Sequence, residues 1–285
     1  MGAYTQYKKQ RRGDWTIWVI PEAWNDELWG AVIERVEALE SRKHPQTCEI
    51  QLTGTNEKFF LKVFDRFSFF GSVKDLFRQS KALRSLNAGR ALAGSGFHVA
   101  RTLAAGEQRR LGVLQRAFLL TLPVSGTPVP VFLRSLYYPG GAWPRIDQKK
   151  LWLKQLASEI RKLHDLGFVH GDLVPSNIMV SQADDETPRF FFLDNDRTRR
   201  YPPWLPQSLW RRNLVQLNRF PLPGVSLEDR MRFFHFYTGR RKCLSRDRRL
   251  LAWLEKRTRQ RRKECDAVDA SGSFRKLMRW DATAS

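Results

Sequence analysis

His170-Gly171-Asp172-Leu173-Val174-Pro175-Ser176-Asn177 is followed, a short distance on, by Phe191-Phe192-Leu193-Asp194-Asn195-Asp196. The first stretch has the form H-x-D-L-x-x-x-N. The second is an apolar run that ends in an acid. A carboxylate, a carboxamide five residues later and a second carboxylate after an apolar strand are oxygen donors of the kind a hard divalent cation takes. Asp172 can also accept a proton from, or orient, a hydroxyl group.

The flanking sequence decides whether these groups meet. Upstream, Asp147 opens a helix whose Leu151, Leu156, Ile160 and Leu163 fall along one stripe, and Gly167 stops it. Downstream, 178–180 and 190–193 read as short strands around an acidic surface turn at 181–189. That hairpin brings Asn177 near Asp194. Helix, loop, hairpin and acid thus occur in the order required by a phosphotransferase of the protein-kinase kind, in which positioning and charge neutralisation do most of the work. An H-x-D alone would mean little, since helix-to-turn connections carry incidental acids.

The N-terminal half reads as strands with two helical segments. Residues 1–13 form a loose basic leader without the apolar run of a signal peptide. A short strand is expected over 14–20, then a helix carrying Leu28, Trp29, Val32, Ile33 and Val36. Strands follow over 47–52 and 58–64, separated by a turn at 53–56. On the second of these Phe60, Lys62 and Phe64 share a face. An outward lysine needs no partner, whereas an inward one needs an anion, because a bare buried charge is expensive. The downstream motif favours the inward orientation, with Lys62 reaching the α- and β-phosphates of a nucleotide. Helical segments over 74–92 and strands over 97–103, 111–114 and 117–124 complete this half. The proline-rich piece beyond Val124 marks a boundary, giving a β-rich nucleotide-binding part at 1–124 and a helical catalytic part at 125–285. The expected fold class is α+β. It has two lobes of protein-kinase-like form: a small N-terminal antiparallel sheet and a mainly helical C-terminal lobe.

The segment 163–173, with 59–64, 96–107 and 212–218, resembles the lipopolysaccharide core-sugar (heptose and Kdo) kinases across about residues 30–260. That resemblance implies a cytoplasmic bacterial enzyme using ATP and Mg²⁺. It would phosphorylate a sugar hydroxyl of lipopolysaccharide core, or of a related glycolipid, at the inner membrane. Carried over, Asp172 is the catalytic acid–base group, Asn177 and Asp194 hold the metal, and Lys62 clamps the nucleotide. His170 reads as a loop anchor rather than a reacting group. Two features depart from the pattern. The loop 41–46 has no glycine, so Ser41, Lys43 and backbone amides must serve the phosphates. The stretch 76–106 contains no Asp or Glu, so the usual helix acid that pairs with the strand lysine is absent. The latter favours the alternative of a pseudokinase that binds a partner without transfer.

Composition fits this reading. The 285 residues carry 50 Lys and Arg against 29 Asp and Glu, a formal net charge of +21. Such a balance points to a polyanionic partner, whether nucleic acid, an anionic membrane surface or a heavily phosphorylated substrate, and the resemblance implies an anionic glycolipid in an anionic leaflet. Between 240 and 263 there are twelve Lys or Arg and two acids, with Leu250, Leu251, Trp253 and Leu254 among them, a basic helix with an apolar stripe. Nucleic acid ranks last as a partner, since no known binding module is recognisable. Three cysteines without a C-x-x-C pair argue against a disulfide framework or a cysteine zinc site.

Overall fold

The computed structural model describes residues 6–40, 45–52, 57–65, 79–135, 146–182, 187–202, 204–205, 208–219, 222 and 225–269. The chain divides into two compact units. The first holds residues 1–128, 170–172 and 177–199, and the second holds 129–169, 173–176 and 200–285.

The first unit is built on a six-stranded antiparallel sheet. Its strands are β1 (Lys8–Arg12), β2 (Trp15–Val19), β3 (Gln46–Gln51), β4 (Lys58–Asp65), β6 (Thr102–Arg110) and β7 (Val113–Thr121), in the order β1-β2-β6-β7-β4-β3. Alternation along the strands sends side chains to two faces. Ile17, Val19, Leu61, Val63, Phe118 and Leu120 pack with Leu28, Val32 and Val36 of helix α1 (Asp26–Ala38). Phe64, Ala105 and Ala117 on the other face pack with Ala82, Leu83 and Leu86 of α2 (Lys81–Gly94). Lys62 therefore stands on the α2 face of β4, two residues from Phe64. The expected strands and helices appear among the described residues, with three differences. Residues 8–12 of the basic leader form an edge strand, β1 being fully paired with β2. The strands expected at 111–114 and 117–124 are one, β7, which starts at Val113 because Leu111 and Gly112 take left-handed backbone and form the turn of the β6–β7 hairpin. The strand expected at 97–103 divides into a short one at His98–Val99, in a second sheet, and β6, which runs on to Arg110.

Both helices are tied down at their ends. The Asn25 side chain accepts from Leu28 N at 2.8 Å at the start of α1. At its other end the Arg116 guanidinium donates to the carbonyls of Val36 and Leu39, at 2.8 and 2.7 Å, and to Asp65 at 2.6 Å. At the start of α2, Ser80 caps Leu83 N, and Ser80 N itself donates to the buried Glu107 of β6 at 2.8 Å. A smaller sheet in the same unit joins β5 (His98–Val99), β8 (Thr127–Pro128), β9 (Ile178–Gln182) and β10 (Pro188–Phe192), with β9 and β10 as the hairpin read from the sequence.

The second unit is helical, with α3 (Val129–Ser135), α4 (Ile146–Asp165), α5 (Ser208–Leu217), α6 (Leu227–Thr238) and α7 (Ser245–Asp269). Of the expected α4 stripe, Leu156, Ile160 and Leu163 are buried, but Leu151 is exposed and Trp152 takes the buried position beside it; Leu214 and Val215 of α5 and Phe234 and Tyr237 of α6 are buried too. Lys149 of α4 pairs with Asp229, whose carboxylate also completes a capping box with Ser226 at the start of α6. Inside this core His164 binds the Tyr237 hydroxyl through Nδ1 at 2.9 Å and Asn213 Oδ1 through Nε2 at 3.2 Å. Asn213 Nδ2 donates to Gln216 Oε1 at 3.0 Å, and that oxygen also accepts from Leu173 N at 3.1 Å. A buried polar chain therefore ends on the residue that follows Asp172.

Two outcomes are expected. A Cβ at Gly106 would collide with the Phe118 ring, whereas one at Gly30, in α1, meets nothing within 4 Å. Gly106→Ala should lower the urea midpoint, at a cost of about 1–3 kcal/mol for overpacking. Gly30→Ala should raise stability by about 0.4–1 kcal/mol through the unfolded chain. The second outcome concerns pH. Burial pushes His164 down to about 4, against the opposing Asn213 hydrogen bond, and burial lowers His170 as well. The unfolded chain then binds protons that the folded chain refuses, so stability should fall as pH drops from about 6.5 toward 4. For His164 the loss is on the order of 3 kcal/mol. Urea melts at pH 7 and pH 5 should show it, and His164→Gln should flatten, not abolish, the difference.

Candidate active site

Four side chains singled out in the sequence, Lys62, Asp172, Asn177 and Asp194, belong to the first unit. Ser41 and Lys43 lie outside the described residues. Lys62 Nζ meets Asp194 Oδ1 at 2.5 Å and lies 5.5 Å from the Phe64 ring centre. The side chains of Lys62 and Asp194 are 23% and 33% exposed, so the pair is sheltered yet reachable. The lysine is inward, as expected. Its anionic partner comes from beyond the β9–β10 hairpin, in place of the helix acid that the sequence lacks.

The hairpin delivers Asp194. Leu193 N donates to Asn177 O at 2.9 Å, which closes the strand pair and sets Asn177 beside the start of the acidic turn. Asp194 adopts left-handed backbone (φ 57°, ψ 52°), an uncommon conformation for a residue with a Cβ. The turn that follows holds it there. Asn195 is buried and its Nδ2 donates to Phe192 O at 3.0 Å, while Thr198 N donates to Asn195 O at 3.0 Å. Asp196 is half-buried. Burial and the neighbouring Asp194 push its carboxyl above the ordinary range, with Lys62, Arg197 and Lys81 pulling it back.

The same turn anchors the catalytic loop. Thr198 Oγ1 donates to His170 O at 3.2 Å. Gly171 has φ 79°, and a Cβ there would sit 2.7 Å from Arg197 O, so only glycine fits against the turn. His170 is fully buried, and burial holds it neutral against the opposing pull of Asp172 and of the backbone at Leu193. It is an anchor, as its place in the motif suggests. Asn177 Nδ2 donates to Asp172 O at 3.0 Å, which turns Oδ1 of the same amide outward as an acceptor. Among the described residues no hydrogen bond or ion pair is made by the partly exposed Asp172 carboxylate.

These donors suit Mg²⁺. Asn177 offers Oδ1, and Asp194, whose Oδ1 meets Lys62, offers Oδ2. Among the described residues no group of three or more His, Cys, Asp or Glu converges as an all-protein metal cage. Magnesium does not ask for one, since it takes one or two protein oxygens and fills its shell with phosphate and water. Residues that sequence reasoning did not weigh here are Asn195, Thr198, Asn213 and Gln216. Asn213 and Gln216 sit within the 212–218 segment already noted, but a hydrogen bond to a distant amide leaves no periodic trace.

The family model described as lipopolysaccharide kinase (Kdo/WaaP) family matches residues 31–237. A solved structure of WaaP in complex with acyl carrier protein superposes with a TM-score of 0.60 at 20% identity, covering 80% of this chain and 91% of that one. A more distant likeness, with TM-score 0.36 and 15% identity, is to the PknI kinase domain of Mycobacterium tuberculosis, over 71% of each chain. No curated protein matches in sequence. With a mixed α and β fold like that of WaaP and a family match over well more than half its length, the chain belongs to the lipopolysaccharide kinase (Kdo/WaaP) family, ATP-using phosphotransferases with an alcohol group as acceptor.

Proposed function

We propose that this kinase transfers the γ-phosphoryl group of ATP to a sugar hydroxyl of lipopolysaccharide core, or of a related anionic glycolipid, at the cytoplasmic surface of the inner membrane. The observation that carries the reading is the meeting of Lys62 with Asp194, beside an Asn177 whose amide is oriented by the Asp172 backbone. In this reading residues 1–124 supply Lys62 and hold the nucleotide, and residues 125–285 supply Asp172, Asn177 and Asp194. ATP would supply the phosphoryl group and a divalent ion such as Mg²⁺ would supply charge neutralisation, with Asn177 Oδ1 and Asp194 Oδ2 as the oxygens that would hold it. Lys62 Nζ, in reach of Asp194, places a positive charge beside the phosphates. The Asp172 carboxylate orients the acceptor hydroxyl and takes its proton as the bond from the hydroxyl oxygen to the γ-phosphorus forms and the bond from that phosphorus to the bridging oxygen breaks, with ADP leaving.

The membrane part of the proposal rests on α7. Leu250, Leu251, Trp253 and Leu254 are half-buried, and Arg262 donates to Arg219 O and Asn218 O at the end of α5. Arg248, Arg249, Lys256 and Lys263 are exposed. The apolar stripe thus serves the fold, and the helix offers charge, not an inserting face, to an anionic leaflet. No described helix is long and apolar enough to cross a membrane.

Mg-ATP and purified lipopolysaccharide core acceptors test the reaction. Asp172→Ala should reduce transfer by about 100-fold or more, the reach of a general base. Lys62→Met should lower kcat/KM for ATP by about 100-fold, as expected for loss of a charge-assisted contact of roughly 3 kcal/mol. ATP binding without transfer to any glycan would instead identify a pseudokinase. For the membrane, replacing Arg248, Arg249, Lys256 and Lys263 by Gln should weaken binding to anionic vesicles by at least ~10-fold, since each cation near the surface contributes about 1 kcal/mol. Added salt should weaken the wild type in the same sense.

A further inference from the structure

The second unit contains a cavity of about 470 Å³ whose wall includes Arg161, His164, Arg211, Tyr237, Arg240 and Arg246. Its volume lies in the range of small-molecule sites. Four guanidinium groups face two carboxylates, and both carboxylates are already engaged. Asp165 accepts from Arg161 Nε at 2.8 Å. Asp247 takes Arg240 through both oxygens, at 2.5 and 3.1 Å, and also caps Leu244 N at 3.0 Å. Arg211 and Arg246 make no ion pair among the described residues, although Arg246 also acts on Asp247 at longer range. Arg211 Nε is sealed from the cavity, which leaves the terminal nitrogens of the half-buried Arg211 to face an anion there.

The wall excludes other occupants. A metal cation is opposed by the arginines. His164 is not available as a ligand, because Tyr237 and Asn213 take both ring nitrogens. Held neutral by burial, it adds no charge of either sign near pH 7. Leu205 and Leu209 contribute apolar wall beside the arginines. Guanidinium forks recognise phosphate oxygens pairwise, and an apolar wall suits the face of a ring.

We propose that this cavity binds a small phosphomonoester, its phosphate taken by Arg211 and Arg246 and its ring by the apolar wall. The proposal stands apart from the transfer reaction, since Lys62, Asp172, Asn177 and Asp194 do not line this cavity. A sugar phosphate and a nucleoside monophosphate share the required chemistry.

Calorimetric titration of the full chain tests it, with glucose 6-phosphate, AMP and inorganic phosphate as separate probes. At least one ester should bind the wild type more tightly than inorganic phosphate, and the tighter ester identifies the source. Arg246→Gln changes an exposed side chain and should leave the fold intact. It should weaken the ester about tenfold or more, as loss of one charged hydrogen bond predicts, and Arg211→Gln should do the same. Lys62→Met should bind the ester as the wild type does. The proposal is overturned if neither ester binds, if inorganic phosphate binds as well as both, or if both arginine variants bind unchanged. Loss of binding in Lys62→Met would also overturn it, by moving the ester to the nucleotide site.

Discussion

The ion pair between Lys62 and Asp194 is the constraint on which the first unit turns. The two residues are 132 positions apart in the chain. One stands on a central strand of the large sheet, and the other follows a hairpin of the small sheet. A half-sheltered ammonium with no anion nearby would be costly, and so would a half-sheltered carboxylate with no cation. Each removes the other's penalty, and neither is so deeply enclosed that it cannot exchange partners. That balance suits a site that must accept a charged ligand. A fully buried pair would be too expensive to open, and a fully exposed one would orient nothing.

Holding Asp194 there needs backbone the residue does not prefer. Its left-handed conformation is sustained by a turn that bonds in several directions, through Asn195 to Phe192, through Thr198 to His170, and by the close approach of Arg197 to Gly171. Strain of this kind persists where surrounding contacts over-determine it. The catalytic loop and the acidic turn are therefore one object. Gly171 owes its identity to Arg197, 26 residues away, as much as to its own loop.

What the sequence revealed follows from the range of each interaction. Asp172, Asn177 and Asp194 were legible because loop, hairpin and acid are consecutive, and short spacings fix their geometry. Lys62 was legible by strand alternation, with its inward orientation settled by the motif downstream. The partner of Lys62 was not, because the carboxylate it meets lies 132 positions downstream, and no local spacing links a strand lysine to an acid beyond a distant hairpin. The edge strand β1 was missed because its alternation is carried by Lys, Gln and Arg, which give no apolar signal, and only pairing with β2 orders it. The polar chain from His164 to Leu173 joins α4, α5 and the loop through side-chain amides, and no local pattern records it.

A chain so rich in cations could neutralise every acid it has, and the described structure shows which it spends on the fold. Asp65 is held by Arg116, Glu107 by Arg109 and the Ser80 amide, Asp229 by Lys149, and Asp247 by Arg240. These carboxylates are nearly or fully buried, so each is a structural cost offset by a specific cation and hydrogen bonds. Asp172 differs. It is partly exposed, it follows a glycine that fixes the loop, its backbone carbonyl is taken by Asn177, and among the described residues its carboxylate meets no cation. A buried carboxylate must keep its cation if the fold is to hold, whereas a partly exposed one is hydrated and can exchange water for a group that arrives from outside.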